Sequence, residues 1–214
     1  MSRSDGTETA EALSQGEVAR QGISKAALAL LVLAVVVTLD LATKWWIVSN
    51  MSYHETISVI GDFVRLTYTH NPGAAFGINI GEHSRIFFLV LSIVALGVLA
   101  AIYRSTPSTD RLRLVAVALV GSGAVGNIID RLRYERGVVD FLDVGIGIHR
   151  WWVFNVADSA VTIGAILLLV SFLLEEGRER SAARQAPEGA SVGESRTRPS
   201  RSRYLSDRRA AFPT

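Results

Sequence analysis

The sequence predicts a mainly α membrane protein: a four-transmembrane-helix bundle carrying a small β-sheet on one side, with disordered tails. Three observations predict it. Hydrophobic residues make up 49% of the 214 residues, and mean hydropathy is +0.30. The apolar residues gather into four long blocks, and a run of about 18 or more suits a bilayer crossing. Between the blocks lie polar segments and one stretch rich in β-branched and aromatic residues.

The elements follow in chain order. Residues 1–22 have few large apolar side chains, a composition that predicts disorder. The first block, 26–48, follows this acidic leader and lacks a small-x-small cleavage site, so it reads as a retained helix rather than a cleaved signal. Residues 57–69 alternate loosely and predict short strands. The "NPGAAFG" that follows is a turn, because Pro fixes φ and glycine permits tight backbone. The second block is 86–103. The third, 112–129, holds Gly121, Gly123 and Gly126, which suit close helix packing in lipid, and runs into the polar "GNIIDR". Residues 131–152 form a polar loop ending in "HRWW", an interfacial belt. The fourth block, 153–174, opens with "FNVAD". Residues 177–214 predict a disordered, solvated basic tail with no nucleic-acid partner, which leaves 23–176 as one transmembrane domain.

An even number of helices puts both termini on one side. Arg3, Arg20 and Lys25 precede or open the first block, Arg104, Arg111 and Arg113 lie around the second connection, and nine arginines follow in the C-terminal tail. The opposite side holds Arg65, Arg85, Arg131, Arg133, Arg136 and Arg150. The excess predicts that both termini are cytoplasmic.

Ionisable residues inside membrane segments are costly and point to function. Asp40 and Lys44 sit near the outer end of the first helix, four residues apart and on one face. Asn127, Asp130 and Arg131 close the third helix at the same end. Asp158 lies about one and a half turns, roughly 8 Å, inside the fourth, with Asn155 three residues earlier on the same face. Asp140 and Asn71 belong to the outer connections, while the inner helix ends hold nothing comparable. One polar site near one membrane surface accounts for this convergence. Plainer roles stand beside it: Asp40 with Lys44 as an i,i+4 ion pair, Asp130 and Arg131 with Asn127 as a helix-end network, and Asn155 as an N-cap, or Asp158 if the helix starts late. Asp143 is expected to face water. His54, His70, His83 and His149 lack metal-ligand spacing and read as loop residues.

With no cysteine, thiol nucleophiles, disulfides and thiolate metal sites are excluded. No GxSxG, HExxH or Walker loop is present. Carboxylates with amide and basic supports remain. Two carboxylates held close share a proton, so that one acts as base towards a water and the other as acid towards a carbonyl oxygen or leaving amine. That chemistry requires no metal and no cofactor. Spacing permits Asp140, in a flexible outer loop, and Asp158 as the pair, because the 17 residues between them can fold back.

The blocks "LDLATKWW", "NPGAAFG", "GNIIDR", "VVDFLDV" and "FNVADSAV" stand in this order among the apolar helices. Through these five blocks, and from about residue 26 to 174, the chain resembles the lipoprotein signal peptidase (signal peptidase II) family of bacterial membrane aspartic peptidases. The resemblance implies a catalytic dyad of Asp140 and Asp158. It gives Asp40, Lys44, Asn71, Gly126, Asn127, Asp130, Arg131 and Asn155 the task of ordering the dyad and holding the substrate backbone. It also implies an extracytoplasmic β-cradle at 57–69, a mobile element within 131–150, and a place in the bacterial cytoplasmic (inner) membrane. The implied reaction removes the signal peptide of a diacylglyceryl-prolipoprotein just before the lipidated Cys. A monomer among membrane lipids, inhibited in the same cleft by globomycin-type compounds, completes the expectation.

Two rivals carry less of the sequence. A proton- or cation-coupled transporter would use Asp40, Asp130 and Asp158 as relay groups, but it should place polar residues near the midplane and show repeated halves; neither is present. A mere anchor for the basic tail leaves the intramembrane carboxylates unexplained.

Overall fold

The structure, a computed structural model, describes residues 23–73 and 80–185. The expected tail at 1–22 and residues 74–77 of "NPGAAFG" lie outside the described residues. Of the tail expected to be disordered over 177–214, residues 177–185 are helical instead, and the rest lies outside the described residues. The elements are α1 (Lys25–Asn50), β1 (Thr56–Ile60), β2 (Val64–Asn71), α2 (Ser84–Ser105), α3 (Arg111–Arg133), β3 (Val138–Ile146), β4 (His149–Arg150) and α4 (Val156–Gln185). Among the described residues, four helices are long and apolar enough to cross a membrane. At 1.5 Å per residue even α2 spans about 33 Å.

Local chemistry sets the helix ends. The Ser24 hydroxyl caps α1 by accepting from Ala27 N (3.1 Å), and the Asp110 carboxylate caps α3 by accepting from Arg113 N (3.0 Å). Lys25 Nζ donates to the carbonyl of Thr106 (2.7 Å), just past α2, where the helix dipole is negative. Arg113 is buried, pairs with Asp110 (3.3 Å) and donates to Ser171 Oγ (3.1 Å). The inner end, where nothing comparable to the outer cluster is expected, is tied by these scattered polar groups, each used to satisfy a helix terminus or a buried hydroxyl.

The third helix, glycine-rich and the least apolar block, is the central one. It buries Leu114, Ala116, Val117, Ser122, Gly123 and Gly126 among others. A Cβ on Gly123 would collide with the carbonyl oxygen of Ala157, and one on Gly164 would lie 2.8 Å from that of Ala116. Glycine therefore lets α3 and α4 approach backbone to backbone, as close packing in lipid requires. Large apolar side chains such as Leu30, Val35, Val90 and Leu169 point away from the bundle, onto the surface that lipid covers. Past Leu174 the chain forms a second unit, in which 175–185 is helical and Arg180 pairs with Glu176.

The sheet has four strands in the order β1-β2-β3-β4, every neighbour pair antiparallel. Beneath it Ile47, Met51, Tyr68, Val139 and Phe141 form one apolar cluster. The expected outer loop is largely strand. "VVDFLDV" pairs with β2 along its length, with Asp140 opposite Thr69 and Asp143 opposite Arg65. Asp140 is therefore not on a flexible loop. Nor does Asp143 face water: it is 6% exposed and accepts from Arg150 Nε (2.6 Å) and the Thr67 hydroxyl (3.0 Å). The polar run 131–136 masked the strand, since β3 begins only after Gly137. His70, also expected in a loop, lies on β2.

Candidate active site

Two features of backbone order bring the sequence-predicted residues together. Phe154 pairs with Leu142 across an isolated bridge, Leu142 N donating to Phe154 O (2.7 Å) and Phe154 N to Leu142 O (3.0 Å). That bridge sets the start of α4 beside the middle of β3. Period-two alternation then puts Asp140 and Val144 on one face of β3, and Val144 and Asp158 line the same cleft of about 530 Å³, walled also by Trp151, Trp152 and Phe154.

The helix starts later than the apolar pattern predicts. Asn155 is its N-cap and Asp158 lies in the first turn, not one and a half turns inside. Asn155 Oδ1 accepts from Asp158 N (2.8 Å), while Asp158 Oδ2 accepts from Asn155 N (3.3 Å). This is a capping box with aspartate in the reciprocal place, so the cap and the site use the same two residues. The Asn155 amide nitrogen also donates towards Asp140 Oδ1 (2.7 Å), Asn127 Oδ1 (3.2 Å) and Val139 O (3.3 Å). One asparagine thereby bonds both carboxylates.

The other supports lock in behind. The Asn127 amide donates to Asp158 Oδ1 (2.8 Å). Asn71 accepts from Gly73 N (2.9 Å), closing the turn at the end of β2, and hydrogen-bonds Asp140. Lys44 Nζ lies 2.8 Å from Asp40 Oδ2, 2.8 Å from Asp130 Oδ2 and 3.2 Å from Asn127 Oδ1. The far oxygen of Asp40 accepts from Ala157 N (2.9 Å), one of the free N–H groups at the start of α4. Asp130 Oδ2 also accepts from Val139 N (3.1 Å). Arg131 donates to Gly73 O (2.7 Å) and Asn127 O (3.3 Å). A Cβ on Gly126 would lie 2.5 Å from Asp40 Oδ2, so glycine is what lets α3 meet the Asp40 carboxylate.

All ten residues singled out in the sequence thus belong to one connected cluster. Asp40, Lys44, Asn127, Asp130, Arg131, Asp140 and Asn155 are each under 10% exposed. Burial pushes the Asp140 carboxyl up to about 8, and the Asp158 charge adds to that, against hydrogen bonds from Asn71 and Asn155. Gly73, Val139 and Ala157 were missed. They contribute backbone N–H and C=O groups, which every residue type carries; only the small residues of "VADSA" hinted at a close approach there. Among the described residues, no group of His, Cys, Asp and Glu could hold a metal ion.

Membrane-length helices that gather a cluster of polar side chains beside a cleft at one end of the bundle define a multi-pass membrane protein. A solved bacterial membrane enzyme, determined by the in meso method at 2.3 Å resolution, superposes with a TM-score of 0.64 and 33% identity over 75% of this chain and 93% of that one. A second, at 1.9 Å, gives 0.60 and 36% over 68% and 92%. Residues 32–174, more than half of the chain, match the family described as signal peptidase (SPase) II. The lipoprotein signal peptidase of Moorella thermoacetica is 46% identical over 155 residues, 71% of this chain and 96% of the relative. That of Syntrophus aciditrophicus is 37% identical over 155 residues, 71% and 95%. The chain belongs to the signal peptidase II family and is a bacterial membrane peptidase.

Proposed function

We propose that the protein is an aspartic endopeptidase that removes signal peptides from diacylglyceryl-modified prolipoproteins, cleaving just before the lipidated Cys with Asp140 and Asp158 as the dyad. The observation that carries this reading is the Asn155 side chain, bonded to Asp140 while its backbone and amide oxygen are bonded to Asp158. Asp140, whose carboxyl is held up at about 8, keeps the shared proton at neutral pH and is the acid. Asp158, at the helix start with N–H donors around it, is the base. A water between them loses a proton to Asp158 as its oxygen bonds the scissile carbonyl carbon, and Asp140 protonates the carbonyl oxygen. Collapse of the resulting diol breaks the C–N bond, with a proton passed to the leaving amine of the Cys. The Trp151 and Trp152 walls and the apolar groove below them suit a lipid-anchored peptide entering from the bilayer. The arginine distribution supports cytoplasmic termini and a site at the extracytoplasmic surface.

Two expected outcomes follow from this chemistry. The rate of cleavage in proteoliposomes should hold at neutral pH and fall as pH rises through about 8, where Asp140 loses its proton. The same shift makes folding stability contributed by Asp140 complete in acid and progressively lost as pH rises from the ordinary carboxylate range through about 8. Chelation is the second. Turnover of a lipidated precursor should be unchanged by EDTA, whereas loss with EDTA and recovery with zinc would indicate a metallopeptidase. The decisive substrate comparison is lipidated against unlipidated precursor, and equal cleavage of both would contradict the assigned substrate.

A further inference from the structure

Strand β2 carries a titratable side chain that the dyad chemistry does not use. His70 is half-buried among Tyr68, Tyr134 and Tyr53, with ring centroids 5.5, 5.3 and 5.9 Å away. Its Nδ1 is 3.2 Å from Gly137 O and its Nε2 is 3.1 Å from the Tyr68 hydroxyl. A carbonyl only accepts, so Nδ1 bears the hydrogen; Nε2 is then bare and accepts from the Tyr68 hydroxyl.

Gly137 is the turn by which the chain leaves α3 and enters β3. It sits at φ +95°, and a Cβ there would collide with the Asn71 carbonyl and lie 2.6 Å from Pro72 Cα. The turn is therefore pressed against the end of β2 and tied to it by the imidazole. His70 pairs in register with Val139. Both of its chain neighbours connect to Asp140: Thr69 is its register partner, and Asn71 hydrogen-bonds its carboxylate.

We propose that His70, as a neutral Nδ1–H imidazole, is a positioning residue that braces the start of β3 against β2 and so keeps Asp140 within reach of Asn71 and Asn155. The inference rests on the dyad reading above. The titratable groups around the ring are the phenols of Tyr53, Tyr68 and Tyr134, with Asp130 and Arg136 as the nearby charges. Burial holds the imidazole below the ordinary histidine range, and Arg136 acts the same way, against the Gly137 carbonyl and Asp130. Protonation would put a charge into the aromatic slot and make Nε2 a second donor, so the Tyr68 hydroxyl would have to give up its own donation. The brace is complete above the ordinary histidine range and weakens as pH falls below it.

The test is kcat and KM across pH for His70→Asn and His70→Phe, run beside Asp140→Asn. His70→Phe keeps the ring packing without the bonds and should lower kcat about tenfold by misplacing Asp140, with KM changed by less than about twofold. His70→Asn keeps a donor towards Gly137 O and cannot titrate. It should lose less of kcat and keep only the acid limb that protonation of the base Asp158 imposes, without the part due to the imidazole, while the alkaline limb near 8 stays. Wild-type kcat with an unaltered acid limb in both variants would overturn the proposal. If His70→Phe fails to fold, the acid limb of His70→Asn decides alone. Asp140→Asn reports separately: an active Asp140→Asn refutes the dyad, whereas an inactive one beside unaffected His70 variants refutes only the brace.

Discussion

Purified Asp158→Asn should insert and fold but cleave a lipidated precursor at least about a thousandfold more slowly than the wild type, near the upper range that one positioned proton-transfer group supplies. The amide keeps one acceptor oxygen, which can still accept from Asn155 N and preserve the capping box, while its NH2 meets the Asn127 amide donor. What it cannot do is take a proton from water. Asp140→Asn should lose a similar factor for the complementary reason. Its amide has no acidic proton to give the carbonyl oxygen, and it meets the Asn155 amide donor at the position where the carboxylate oxygen now accepts (2.7 Å). In the proposed dyad the two groups act as one unit, so the double variant should be little worse than either single one. Rates are read on protein whose thermal unfolding matches the wild type, which separates lost chemistry from lost fold. Turnover within about tenfold of the wild type in either variant would remove that residue from the dyad.

Lys44 carries the second large effect, on stability. Its ammonium faces Asp40 and Asp130, both essentially inaccessible, and each carboxylate is tied to the start of another element: Asp40 to Ala157 N at α4, Asp130 to Val139 N at β3. Lys44→Met removes the one cation between two buried anions. Leaving buried charge uncompensated typically costs about 3–5 kcal/mol, against the roughly 0–1 kcal/mol expected had this been an exposed i,i+4 pair. The position of the group decides between those figures, and it is buried. Unfolding in detergent should therefore shift strongly for Lys44→Met. Adding Asp40→Asn should restore part of the loss, because one of the two stranded charges is then gone. A Lys44→Met protein as stable as the wild type would show that the ion triad is not what joins α1, α3 and α4.

The helices were legible because lipid demands long apolar runs, and few other environments permit them. The glycines of the third block signalled close packing, and Gly123 and Gly126 do meet Ala157 and Asp40 at distances that no side chain allows. The convergence of Asp40, Lys44, Asn127, Asp130 and Asp158 was legible because buried charge has few explanations other than partners. β3 was not. "VVDFLDV" carries a carboxylate on each face, which reads as solvent exposure, yet Asp140 is held by Asn71 and Asn155, and Asp143 by Arg150 and Thr67. Two acids that alternate across a strand look alike in sequence, whichever partners they find. The start of α4 was misplaced for a related reason. Val153 and Phe154 continue the apolar run, but Phe154 bridges to Leu142 of β3 before the helix begins at Val156. Backbone partners such as Gly73 O and Ala157 N have no sequence signature at all. His70 is intermediate: its neighbours in "YTHNPG" are visible, whereas its tie to Gly137 depends on a strand crossing that only the fold supplies.

In the proposed dyad, buried Asp140 and partly exposed Asp158 share one proton, which resides on Asp140 at neutral pH. Infrared difference titration of the carboxyl stretch in proteoliposomes, wild type against Asp140→Asn, measures this directly. A protonated carboxyl band should persist through neutral pH, disappear near pH 8, and be missing from Asp140→Asn. A wild-type spectrum in which every aspartate is already ionised at neutral pH would contradict that placement of the proton.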